Sequence, residues 1–104
     1  MTFYIRIMGR QTLGKIMPRV VAENLKTMGE QLMLARKRRH LSMQDVAERA
    51  SVTRLTISKV EHGEPTVAIG IYARVLYALN LESDICLLAG NDALGRDLQD
   101  AELK

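Results

Sequence analysis

The chain has 104 residues, a formal charge of +3 and 47% apolar residues, yet only 4% are aromatic and tryptophan is absent. That length favours one domain and leaves room for a modest core, not for a large enzyme cleft. A core drawn from Leu, Ile, Val, Ala and Met suits packed helices better than a β-sandwich, so an all-α fold is expected.

Charge is unevenly spread. Residues 1–40 hold nine lysines and arginines against only Glu23 and Glu30, while residues 41–104 are acidic on balance. A basic front half suggests a polyanionic partner, although a solvated charged surface explains the same asymmetry. The lone cysteine, Cys86, cannot pair within the chain, which fits a reducing compartment. It sits in the run ICLLA, where a buried inert thiol is expected. No apolar stretch nears the ~18 residues of a bilayer span. The start, MTFYIRIMGR, lacks a small-residue cleavage site and does not read as a signal peptide. A cytoplasmic location is expected.

In chain order, residues 2–7 (TFYIRI) suit a short strand or an unstructured end. Gly9 and Gly14 flank a weakly patterned linker, and Met8 and Met17 are each an alternative start. Pro18 suits a first helical turn, so a short helix over 18–26 is expected, with Val20, Val21 and Leu25 on one side. Thr27-Met28-Gly29-Glu30 matches a capping box, which predicts a new helix from Thr27. Its inner stripe is Met28, Leu32 and Ala35. It ends in Arg36-Lys37-Arg38-Arg39-His40, cations that offset the negative end of the helix dipole. The implied organisation is an N-terminal extension over 1–26, a domain over 27–90 and an acidic tail over 91–104.

Ser42 caps the next helix, with Val46, Ala47 and Ala50 inward. Thr53 caps a third, with Ile57 and Val60 inward, and Gly63 suits a left-handed ending. A fourth helix is expected over 67–79, with Ile69, Tyr72, Ala73, Leu76 and Leu79 as its apolar set. Residues 83–89 are ambiguous between helix and strand. Gly90-Asn91-Asp92 marks a turn. In the tail, Leu94, Leu98 and Leu103 are spaced for a weak amphipathic helix with too little apolar surface to fold unaided.

Residues 45–63, DVAERASVTRLTISKVEHG, place two short helices back to back across a tight turn. Such a pair can brace itself so that the first helix crosses a DNA backbone and the second enters the major groove. Ile57 and Val60 hold the second helix, while Thr53, Arg54, Leu55 and Lys59 lie early or outward on it. Arg54 can form two hydrogen bonds to guanine, Leu55 can touch a thymine methyl, and Lys59 can reach guanine or phosphate. Thr53 can contribute at the mouth of the groove. The N-terminus at Ser42-Met43-Gln44 offers free N–H groups and a positive dipole end to phosphate. Thr56, Ser58 and His62 are further phosphate candidates, and Arg38 and Arg39 add a sequence-independent attraction. The plain alternatives are a solvated helix face for the cations and ordinary caps for the hydroxyls.

From Gly29 to Leu81 the chain resembles the XRE-type (Cro and phage-repressor) helix-turn-helix family. The residues that carry the likeness are LARKRRHLSMQDVAERASVTRLTISKVEHGEP followed by YARVLYALNL. The resemblance implies a compact lambda-repressor-like domain of four to five helices. It also implies base contacts from the middle of the reading helix and a buried ion pair between Arg36 and Glu61. One departure is Ser51, which stands where the family usually has glycine in a left-handed turn, at some cost in strain. The run LNLESDICLLAGN resembles the end of the HipB-type antitoxin domain, which implies a strand near 84–88 shared between two subunits. The alternative there is a fifth helix packed on the core.

Enzyme chemistry has little support. There is no metal-ligand spacing around Cys86, no phosphate-binding glycine loop and no nucleophile motif, so no cofactor is expected. The expected function is a sequence-specific repressor that binds a palindromic operator as a homodimer. More narrowly, the chain is expected to be an antitoxin that binds a HipA-like kinase toxin and represses its own operon. The alternatives are a free-standing regulator without a toxin, and a protein-interaction module that uses Leu55 and the tails.

Overall fold

The computed structural model describes residues 17–103; the strand and linker expected over residues 2–14 lie outside them. In chain order the described residues form α1 (Arg19–Arg38), α2 (Met43–Ala50), α3 (Arg54–Glu61), α4 (Ile69–Ala78), a 3-10 helix (Glu82–Leu87) and α5 (Ala93–Leu103). The all-helical class expected from the composition is the one observed.

α1 begins after Pro18, whose carbonyl accepts from Ala22 N–H at 3.0 Å, and it does not break at Thr27. The Thr27 hydroxyl donates to the Glu23 carbonyl at 3.1 Å instead of capping a new helix. Tertiary packing overrides the local signal. Gly29 lies in the helix interior, where it weakens the helix by itself. A methyl group there would sit 2.6 Å from the Glu61 carbonyl oxygen and 2.8 Å from that of Val60. The bare glycine lets the end of α3 press against the middle of α1. That contact needs helix on both sides of residue 27.

The core gathers one stripe from each of four helices: Leu32 and Ala35; Val46, Ala47 and Ala50; Ile57 and Val60; Tyr72, Val75 and Ala78, followed by Leu79. α3 packs on both α1 and α2, and α4 packs on α2. On α4 the expected apolar set needs correcting. Ile69 opens the helix beyond the edge of the core and is exposed, while Val75, three residues after Tyr72 on the same face, is buried. The Tyr72 hydroxyl donates to the Glu64 carbonyl at 3.0 Å and ties the α3–α4 loop to this stripe.

One device closes four helices. His40, Ser51, Gly63 and Asn80 all adopt left-handed backbone conformations. In each case the next residue donates its N–H five residues back: Leu41 to Arg36, Val52 to Ala47, Glu64 to Lys59 and Leu81 to Leu76, at 2.8–3.2 Å. These 6→1 bonds satisfy the last carbonyls of the helix. Leu41, Val52 and Leu81 then turn back onto the core, which offsets the ~1–2 kcal/mol that a left-handed non-glycine residue costs.

Residues 84–88 do not form the strand that was one of two expectations. A strand needs a neighbouring edge, and the described residues contain none. Short-range bonds satisfy the backbone instead, from Asp84 N–H to Leu81 and from Leu88 N–H to Ile85. Cys86 is exposed, not buried. Three residues per turn put it on a different side from Ile85, which rests against α4. The tail does form a helix, with Leu94 and Leu98 exposed along it.

Two side-chain networks set α2 and α3 in place. Arg36 Nε lies 2.7 Å from Glu61 Oε2 and Nη2 lies 3.0 Å from Oε1. Its third arm, Nη1, donates to the Leu41 carbonyl at 3.0 Å. Both side chains are buried, and the hydrogen bonds from Arg36 to Glu61 raise the guanidinium above its usual value. The second network is a capping box at α2: Asp45 N–H donates to Ser42 Oγ at 3.0 Å, and Ser42 N–H donates to Asp45 Oδ2 at 2.8 Å. Hydrogen bonds from Ser42, backbone first and hydroxyl second, hold the Asp45 carboxyl below its usual range.

Replacing Glu61 with alanine strands a buried guanidinium and is expected to cost about 3–5 kcal/mol, read as a lower urea midpoint at unchanged slope. Asp45 sets a pH dependence. Its folded value lies below its unfolded one, so its stabilisation is complete above the unfolded value and fades as pH falls through the folded one. An Asp45→Asn variant should therefore lose less stability than wild type between about pH 7 and about pH 3, as followed by urea melts. Parallel acid limbs for the two proteins would refute this.

Candidate nucleic-acid interface

A three-residue turn, Ser51 to Thr53, separates α2 from α3. Ser51 supplies the left-handed step (φ 57°, ψ 45°), and Thr53 starts α3 by accepting from Thr56 N–H at 3.2 Å. The turn is too short to let the helices drift apart: the start of α3 stays beside the end of α2, and the Arg54, Leu55 and Ser58 side chains line clefts that Met43, at the start of α2, also borders. Each is eight residues long, or about 12 Å, and the roughly 10–12 Å diameter of a helix fits the roughly 12 Å width of a B-DNA major groove.

α3 has two distinct sides. Ile57 and Val60 are fully buried, and Glu61 is neutralised by Arg36. Thr53, Arg54, Leu55 and Lys59 are exposed, Leu55 to 66%. A leucine on an eight-residue helix gains nothing by facing water, and here it stands between two cations. That side combines a planar five-donor group, a point charge and a methyl-bearing contact, the three functions that reading base edges requires.

The proposed phosphate contacts fall into two groups. Ser42 and Gln44 are brought close to Arg54: with Met43 and Arg36 they line one shallow cleft between the two helix starts. Ser58 joins Met43, Arg54 and Leu55 in the adjoining cleft. At the start of α2 the capping box uses Asp45 N–H, which leaves the Met43 and Gln44 N–H groups with no intrahelical acceptor and pointing outward. The Gln44 side chain lies along its own helix, 3.2 Å from Glu48 Oε1. Thr56 is half-buried and shares its hydroxyl with Thr53 at 2.9 Å.

The other candidates stand apart from these clefts. His62 Nδ1–H donates to the Ser58 carbonyl at 2.6 Å, and its ring borders a different hollow with Lys26 and Met33. Arg39 turns back to its own helix end, donating to the Ala35 carbonyl at 2.9 Å. Arg38 is exposed at the end of α1. Sequence reasoning used only the backbone of Met43, as part of the helix start, and overlooked its side chain. It borders both clefts and the His62 hollow, and the only signal for it was its place directly after the Ser42 cap. Among the described residues, no group of His, Cys, Asp and Glu could hold a metal ion, and no helix is long and apolar enough to cross a membrane.

Neither the curated proteins nor the solved structures contain a significant match to this chain. A helix-turn-helix family model matches residues 32–84, just over half of the chain, from the second half of α1 into the 3-10 helix. The match includes the whole α2–turn–α3 unit whose geometry is described above, and the chain belongs to the helix-turn-helix family of DNA-binding domains.

Proposed function

We propose that this chain is a sequence-specific transcriptional repressor that reads a palindromic operator as a homodimer through the exposed side of α3. One observation carries the reading: Arg54, Leu55 and Lys59 are presented outward from a short helix whose opposite side is wholly buried. Arg54 is assigned to guanine, Leu55 to a thymine methyl and Lys59 to guanine or phosphate, with Thr53 at the groove mouth. The outward N–H groups of Met43 and Gln44 supply a phosphate anchor, joined by Ser58 across the cleft. Thr56, His62, Arg38 and Arg39 have an auxiliary part in attracting the backbone.

The narrower reading is an antitoxin that binds a HipA-like kinase and represses the operon encoding both. The likeness of LNLESDICLLAGN to the end of the HipB-type domain supports it, as do the extensions on either side of the matched region. A free-standing regulator is the alternative, and a pure protein-interaction module would use Leu55 in place of base contacts.

Selection of a preferred duplex, followed by anisotropy titrations over a salt series, tests DNA reading. Arg54→Ala with Lys59→Ala should weaken specific binding by about 1–3 kcal/mol for each lost base contact, while the thermal melt stays unchanged because both side chains are exposed. Equal affinity of the two proteins for their best DNA would end the base-reading proposal and favour the interaction module. For the antitoxin reading, the reading frame beside this one should encode a HipA-like kinase that co-elutes with this chain on co-expression. A neighbouring kinase that elutes separately would leave the free-standing regulator.

A further inference from the structure

The Met43 thioether can donate no hydrogen bond, yet it borders both clefts in which Arg54 stands. The residue is half-buried: part of its side chain packs against the core, and the rest lines these clefts. Leu55, 66% exposed, lines the second of them. Residues three and four apart on a helix are neighbours, so Arg54 and Leu55 both stand next to Ser58. These three belong to α3, and Met43 closes the cleft from α2. The Arg54 guanidinium is thereby bordered by two apolar side chains and a hydroxyl. Among the described residues no carboxylate pairs with it, and none lines either cleft.

Two apolar groups beside a guanidinium call for an apolar group to bury against. The base edges of a major groove offer one, the C5 methyl of a pyrimidine. Thymine carries it, and 5-methylcytosine carries the same group at the same place; cytosine and uracil have hydrogen there. Stacked bases lie ~3.4 Å apart along a strand, less than the ~5–6 Å between neighbouring side-chain origins on a helix. An arginine on one guanine therefore leaves its apolar neighbours over the adjoining base pair. The backbone N–H groups at the start of α2 take the phosphate in the proposed reading, which leaves the Met43 side chain free to face the bases beside Arg54.

We infer that Met43 is a further specificity-determining residue. With Leu55 it forms an apolar notch for one C5 methyl, so the site reads a guanine and a C5-methylated pyrimidine on adjacent base pairs. The inference rests on base reading by Arg54 and adds the neighbour of its guanine. Methionine suits the task, because its unbranched, polarizable chain adapts to the group it covers. The notch meets the methyl and not the ring that bears it. Methylation of a cytosine at that place therefore raises affinity, just as thymine does.

Anisotropy titrations of the full chain on its selected duplex test the inference. The guanine read by Arg54 is the one whose replacement no longer matters in Arg54→Ala. Deoxyuridine in place of the thymine beside that guanine should raise the wild-type Kd roughly fourfold, the worth of one buried methyl. Cytosine at the same place should bind more weakly than 5-methylcytosine by a similar factor. Met43→Ala should lower both ratios to about twofold, and Met43→Ala with Leu55→Ala should bring them to about one. Met43→Leu, which keeps the apolar bulk, should restore them. Each ratio compares two duplexes on one protein, so a Met43 that only supported the fold would leave it unmoved. Equal binding of the thymine and deoxyuridine duplexes, an unchanged ratio in Met43→Ala, or a selected site with no C5 methyl beside that guanine would each overturn the inference while base reading by Arg54 stands. If Arg54→Ala binds the selected duplex as tightly as wild type, base reading itself fails and the inference falls with it.

Discussion

The fold turns on the three-armed contact of Arg36. Two arms grip the Glu61 carboxylate at the end of α3, and the third holds the Leu41 carbonyl directly before the start of α2. One planar group thereby ties α1 to the end of one member of the helix pair and the beginning of the other. Burying two opposite charges costs several kcal/mol per ion, and the cost is offset only when geometry is good and the remaining donors are satisfied. Both conditions hold: the pairing is bidentate, and no buried side-chain polar atom among the described residues lacks a partner. What the pair supplies is placement. It fixes the end of α3 and the approach to α2, and so the relative placement of the two helices that carry the candidate interface.

Close approach of backbone does the rest. Gly29 lets α3 press on α1, and a methyl group at Gly63, left-handed at φ 70°, would strike the Leu25 carbonyl and sit 2.7 Å from the Lys26 backbone nitrogen. The other helix endings use His40, Ser51 and Asn80 in the same backbone shape and recover the strain through a buried or half-buried following residue. Rigid turns of this type let a small domain present an eight-residue helix at a fixed angle. Isolated helices of that length do not hold together in water, so α3 exists because Ile57, Val60 and Glu61 are held, and its outer side is thereby released for recognition.

The proposed interface and the uncovered apolar area lie on different parts of the molecule. The candidate recognition groups are the start of α2, with Arg54 and Leu55 at the start of α3 and Lys59 in its last turn. Uncovered apolar area collects around α4, the 3-10 helix and α5. Such segregation suits a protein that must meet a polyanion on one side and an apolar partner on the other, because water is displaced from the two surfaces for different reasons: counterion release at one, apolar burial at the other.

Much of this was legible from residue order alone. Caps at Ser42 and Thr53, inward stripes on α2 and α3, and the left-handed Gly63 are local properties, set within a few residues by hydrogen-bonding chemistry and helical period. The spacing of D-V-A and V-T-R-x-T-I-S-K-V-E-x-G was enough to indicate the family. Other features depend on residues far apart in the chain. The capping pattern at Thr27 lost to a long-range glycine contact, and Ile69 gave up its place in the core to Val75. Cys86 fell outside because the segment coiled with three residues per turn, and Met43 joined two clefts only once α2 and α3 were set side by side. Local sequence determined where α2 and α3 begin and which of their faces is apolar; the tertiary structure decided the course of α1 and which apolar groups remain uncovered, since exposure depends on what the rest of the chain leaves unfilled.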